Sequence, residues 1–198
     1  MRPGGGAATR TPHSEALARA WVSASSMGSS SPVEVTMLGE TWSVDIARKT
    51  IVLGSAGVTE LGDYLKVLLL HYLAGEGGAP VANRFVSFRE FEGGSQYYAA
   101  FKARAIDPIA REFASRPEEL QRAGLSLGAE PMGVGSVGLR MCFFDKLPVA
   151  VVLWLGDDEV PTSANMLFDA NAGRILPTED LSVVGGTLSR KLVKLAQG

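Results

Sequence analysis

Residues 136–155, SVGLRMCFFDKLPVAVVLWL, decide the fold class. Two apolar runs, over 136–144 and 149–155, flank Asp145-Lys146-Leu147-Pro148, a spacing that predicts two consecutive strands. The second run is apolar at nearly every position. It is therefore expected at the centre of a sheet, covered on both faces. Toward the N-terminus, VEVTML (33–38), GETWSV (39–44) and KTIVLG (49–54) read as three short strands, the first two alternating and joined tightly at Gly39-Glu40. Helical spacing of Leu61, Tyr64, Leu65, Leu68 and Leu69 predicts a helix from a cap at Thr59 to about Leu73, ended by Gly75, Gly77 and Gly78.

Further on, Phe85 to Phe91 reads as a strand broken by Gly93-Gly94, with a helix from about Ser95. Asp107-Pro108 has the grammar of a helix start, which predicts a restart or a kink there. Ser115-Arg116-Pro117-Glu118-Glu119 repeats that grammar, residues 163–170 read as a short helix, and the last helix is expected from Thr178. Hairpins first and helices between later strands predict an α+β fold: a mixed, mainly antiparallel sheet with helices packed on it. One domain is expected over 33–198. It follows a flexible tail, 1–32, that carries a short helix, EALARAWVSAS.

The chain has 198 residues, 46% hydrophobic and 20% charged, with a formal net charge of −2, so it lacks the basic excess of a nucleic-acid binder. Its one cysteine, Cys142, rules out an internal disulfide and any multi-thiolate metal site, and fits a reducing cytoplasm. In its apolar run the thiol reads as a small hydrophobe. The most apolar stretch, YLKVLLLHYLAG, is interrupted by Lys66 and His71 and is too short to span a bilayer. No secretory signal is evident.

The densest chemistry lies in FVSFREFEGGSQYYAAFKARAIDP, residues 85–108. Arg89, at a strand end, can clamp a carboxylate or phosphate, or pair internally with Asp157 or Asp169. Glu90, next in the strand, points to the opposite face. Gly93-Gly94-Ser95 offers a weak anion nest or simply a turn. Tyr97, Phe101 and Arg104 share a helical stripe that either stacks on a planar ligand or faces the core. His71 reads as a lone axial ligand to a haem or corrinoid metal, or as a core-edge histidine bonded to a backbone carbonyl. Asp157, Asp158 and Glu159 lack the ligand spacing of a calcium loop and read as a solvated turn.

HYLAGEGGAP, SFREFEGG followed by YYAAFKAR, LPVAVVLWLGDDEVP and MLFDANAGRILPTEDL together resemble the domain-of-unknown-function family 3786, in order from about Leu38 to Leu192. The resemblance implies a cytoplasmic domain of anaerobic bacteria and archaea, some of whose relatives carry an added four-iron cluster module. It suggests cofactor or redox work in anaerobic or one-carbon metabolism. This chain has Arg174-Ile175 where a His-Tyr pair is expected in relatives, and a tail in place of the Cys-rich module.

The leading expectation is a non-catalytic binding or accessory domain. A pocket of Arg89, Tyr97, Phe101 and Arg104, with His71 as a metal ligand, would hold a small anionic or planar cofactor such as a corrinoid or another tetrapyrrole. One alternative is an adaptor that docks a protein partner through the N-terminal helix. The other is an enzyme with Glu90 or Tyr97 as acid/base.

Overall fold

A computed structural model describes residues 12–26, 28, 32–54, 61–75 and 79–198. The opening stretch forms the expected pair, β6 (Val137–Phe144) and β7 (Leu147–Trp154), antiparallel across an Asp145-Lys146 turn. From Leu147 to Leu153 every residue of β7 is buried. Pro148 cannot donate to a ladder, and the pairing of Cys142 with Pro148 lies where the register shifts before Phe144. The irregularity absorbs the proline.

Around this hairpin the sheet runs in the order β3 (Thr50–Leu53), β2 (Glu40–Asp45), β1 (Val33–Met37), β6, β7, β8 (Ser163–Asp169), β4 (Phe85–Ser87), with β5 (Glu130–Met132) added on β6. All strand pairings among the described residues are antiparallel. The architecture is α+β, a mainly antiparallel sheet with helices packed on it. The β1–β2 hairpin turns at Leu38-Gly39, both at positive φ, which the Gly adopts without strain. β1 joins β6 through the single pair Met37–Phe144 and the bond from Leu38 N to Phe143 O at 2.9 Å.

Two expected elements change character. Residues 163–170, read as a helix, form β8. The run is short enough to suit either structure, and pairing with β7 over Val149–Trp154 decides it, burying Met166 and Phe168. The strand expected from Phe85 to Phe91 stops at Ser87 and becomes a single 3-10 turn, Phe88–Glu90. The cause is a capping box: Ser87 Oγ accepts from Arg89 N, and Glu90 Oε1 accepts from Ser87 N at 2.9 Å.

The helices are α1 (Pro12–Ser25), α2 (Asp63–Ala74), α3 (Gly94–Phe101), α4 (Asp107–Phe113), α5 (Pro117–Ser126) and α6 (Thr178–Ala196). α1 packs on α2 and buries Ala20, Trp21 and Ala24 in the same core as the rest of the chain. Of the tail expected over 1–32, residues 1–11 and most of the 27–32 linker lie outside the described residues, as do Thr59, Gly77 and Gly78.

A helical segment restarts at Asp107, as the Asp107-Pro108 pair predicts. α3 and α4 are joined by one π-helical turn, Lys102–Ile106, in which Asp107 N bonds to Lys102 O. Pro108 has no N–H, and its ring would press on the carbonyl of Arg104 in a regular helix; the wider turn relieves that contact without ending the helix. α6 crosses this turn closely. A Cβ at Gly185 would sit 2.5 Å from Phe101 Cε2 and 3.0 Å from Met166 Sδ, so only glycine permits the approach.

Candidate functional site

The π turn, α2 and α6 enclose a cavity of about 530 Å³, within the range of about 300–1,000 Å³ typical of small-ligand sites. Tyr64 and Leu65 of α2 form one wall. Tyr97 and Arg104 form a second, and the α6 stripe of Glu179, Ser182, Val183, Gly186, Thr187 and Arg190 forms the third. Phe88 is the floor. It stacks flat on the fully buried Phe101, ring centroids 4.1 Å apart, and Phe101 in turn lies against Phe168.

Two guanidinium groups face this space. Arg104 Nε donates to Ala100 O at 3.2 Å, and Arg190 Nη2 donates to Thr187 Oγ1 at 3.1 Å. Neither meets a carboxylate among the described residues. A guanidinium without an acid partner retains donors for an anion from solution. Tyr97 is 56% exposed and presents an aromatic face at the cavity mouth.

Sequence reasoning brings Tyr97 and Arg104 to one cavity, with Phe101 beneath its floor. The other three candidates lie elsewhere. Arg89 pairs with neither Asp157 nor Asp169; its guanidinium lies 3.8 Å above the Tyr98 ring. Glu90 is exposed and spends its carboxylate on the capping box. The opposite-face argument for these two residues fails because they stand in a 3-10 turn, not a strand.

His71 lines neither this cavity nor its neighbour. Its Nδ1 lies 2.6 Å from Asp180 Oδ2, so its partner is a carboxylate rather than the backbone carbonyl expected. Burial pushes the Asp180 carboxyl up, against the hydrogen bond and charge of His71, which hold it down. Neither residue supplies an axial ligand to a planar cofactor in the cavity.

Gly93 adopts the left-handed conformation at φ 70° and starts α3. A Cβ at Gly94 would lie 2.0 Å from Phe88 O, and Gly94 N donates to Phe91 O at 2.9 Å. The doublet is a turn for close packing, and this amide is already used. Asp157 Oδ1 accepts from Glu159 N and Val160 N, which hold its carboxyl below the usual range. That segment is the turn read from the sequence. Burial pushes the Cys142 thiol up, as suits a half-buried thiol beside β7.

The α6 side of the cavity escaped sequence reasoning. Its signal was present: residues 179, 182, 183, 186, 187 and 190 recur at helical spacing, and they are small, polar or charged between apolar core positions.

A second cavity, of about 580 Å³, adjoins the first and shares Tyr97, Thr178 and Glu179 with it. Phe91, Glu92, Gly93 and the 173–177 segment complete it. Thr178 Oγ1 donates to Glu92 O at 2.8 Å and fixes the first turn of α6 to this rim.

No curated protein and no solved structure matches this chain. The family model described as Domain of unknown function (DUF3786) matches residues 13–191, and the chain belongs to that family.

Proposed function

We propose that this chain is a non-catalytic binding domain whose α2/π-turn/α6 cavity holds a small anionic ligand with a planar or apolar body. The observation that carries this reading is the meeting of Arg104 and Arg190, both without an acid partner, on one cavity floored by Phe88. Both arginines are exposed and keep guanidinium donors free, and charge-assisted bidentate bonds to an anion are the strong ones. The aromatic floor and Tyr97 supply the stacking surface.

A tetrapyrrole or corrinoid is one such ligand, its acidic substituents on the guanidiniums and its ring against Tyr97 and Phe88. Ligation of its metal through His71 is dropped, because that imidazole lines neither cavity. The cytoplasm and an accessory role in anaerobic metabolism follow from family resemblance and are part of the proposal. Of the two acid/base candidates, Tyr97 lines the cavity and Glu90 does not.

The test is calorimetric titration with phenylphosphonate, a single anion on a planar ring, followed by visible spectra of haem with and without protein. Binding of phenylphosphonate is expected, with Arg104→Gln and Arg190→Gln each weakening it by about tenfold, ~1.4 kcal/mol. Absence of any heat, or wild-type affinity in both variants, overturns the reading. Unchanged haem bands would remove the tetrapyrrole alone.

A further inference from the structure

Arg174 stands on the wall of the second cavity, exposed, with no hydrogen-bond or ion-pair partner for its guanidinium among the described residues. Glu92 and Glu179 line that cavity too, yet neither pairs with it. The two cavities meet at Tyr97, Thr178 and Glu179, so they form one bent groove with an arginine lining each arm. Arg104 and Arg190 serve the first arm; Arg174 serves the second.

The floors are continuous as well. Phe88 floors the first arm and Phe91 lines the second, and both pack on Phe168, at 6.4 and 6.0 Å between centroids. Gly173 faces Phe91: a Cβ there would lie 3.0 Å from Phe91 Cδ1, so a glycine leaves the ring open to the groove. Glu179, at the bend, has no partner among the described residues and can accept hydrogen bonds from hydroxyl or amino groups.

The segment bearing Arg174 is held in place from below. A Cβ at Gly75 would lie 2.3 Å from Ile175 O, so the end of α2 packs directly on the backbone next to Arg174. Pro177 and Thr178 then fix its far side through the start of α6. The second cation is therefore presented by a braced segment.

From this groove we infer that the ligand is an elongated dianion, with two separated acidic groups joined by an apolar or hydroxylated body. One acidic end sits on Arg104 and Arg190, and the other on Arg174. The body runs past Tyr97 and Glu179 over Phe88 and Phe91. This rests on the proposed function, which supplies the first anion site.

The experiment compares methylphosphonate with α,ω-alkane bisphosphonates of increasing chain length, by calorimetry on the full chain. At the length that spans the groove, the bisphosphonate should bind at least about tenfold more tightly than methylphosphonate or the shortest bisphosphonate. Arg174→Gln should abolish that gain and leave methylphosphonate affinity unchanged. Arg111→Gln, on the exposed side of α4, should leave the gain intact and so exclude a general charge effect. If no chain length gains affinity, or Arg174→Gln keeps the gain, the second anion site is wrong while the first stands. If neither methylphosphonate nor phenylphosphonate binds, the proposed function itself fails.

Discussion

His71 Nδ1 and Asp180 Oδ2, 2.6 Å apart, tie the last turn of α2 to the first turn of α6. An ionised carboxylate only accepts, so the imidazole donates from Nδ1. The Asp180 carboxyl is raised chiefly by burial. The folded state therefore binds its proton more tightly than the unfolded chain does. That contribution to stability is complete below the ordinary aspartate range and is lost as pH rises through the raised value.

Asp180→Asn keeps an oxygen acceptor for His71 and removes the titration. Denaturant unfolding of both proteins across the acid range should show wild-type stability falling relative to the variant as pH rises. The slope cannot exceed ~1.4 kcal/mol per pH unit for one proton. Parallel curves would mean that Asp180 keeps its ordinary affinity for the proton.

Adjacent glycines of α6 should respond oppositely to the same change. Gly185→Ala drives a methyl to 2.5 Å from Phe101 Cε2, and overpacking of this kind costs about 1–3 kcal/mol. At Gly186 the nearest atom is Arg190 Nη1 at 3.6 Å, an ordinary contact. Gly186→Ala should be neutral or stabilising by about 0.5–1 kcal/mol, because alanine loses less backbone entropy in a helix. Its methyl enters the cavity, so ligand affinity should drop while the melting temperature does not. Equal destabilisation by both substitutions would contradict the packing described.

Arg89 and Glu90 should matter little to binding. Arg89→Ala removes the contact with the Tyr98 ring, worth about 0.5–1 kcal/mol at an exposed site. Glu90→Ala removes one half of the capping box, a loss confined to the start of the 3-10 turn. Both variants should bind phenylphosphonate as wild type does. A tenfold loss in either would return these residues to the site.

Cys142 should be slow to alkylate. Its thiol is half-buried in β6 and raised by burial, more than the Arg140 charge lowers it, so thiolate is scarce at neutral pH. Iodoacetamide should modify the unfolded chain at least about tenfold faster than the native protein. Equal rates would show an accessible, ionised thiol.

The fold was legible where periodicity was strong. The β6–β7 pair, the β1–β2–β3 meander and the long α6 follow from apolar spacing and turn residues. β8 was not legible, because SANMLF carries neither alternation nor length enough to separate strand from helix until β7 pairs with it. The end of β4 was hidden for a different reason: Ser87 and Glu90 were read as a strand's polar positions, although three-residue Ser–Glu spacing is a cap signature. Of the groove, Tyr97 and Arg104 were legible as a stripe on one helix. Arg190 and Arg174 were not, since nothing local to α6 or to the 173–177 segment says which helix they will face. The crossing permitted by Gly185 decides it for Arg190, and the packing of Gly75 on Ile175 for Arg174.

The additional residue in the Lys102–Ile106 turn sets the azimuth of everything before it. One residue of a regular helix turns the chain by about 100°. Shortening the segment by Ala103 would bring the hydrogen bonds back to ordinary pitch and rotate the Tyr97 half by that angle relative to α4. Tyr97 would then swing away while Phe101 left its slot against Gly185. The proline at 108 thus acts at a distance of about three helical turns, setting the phase in which an aromatic ring meets the opening it borders.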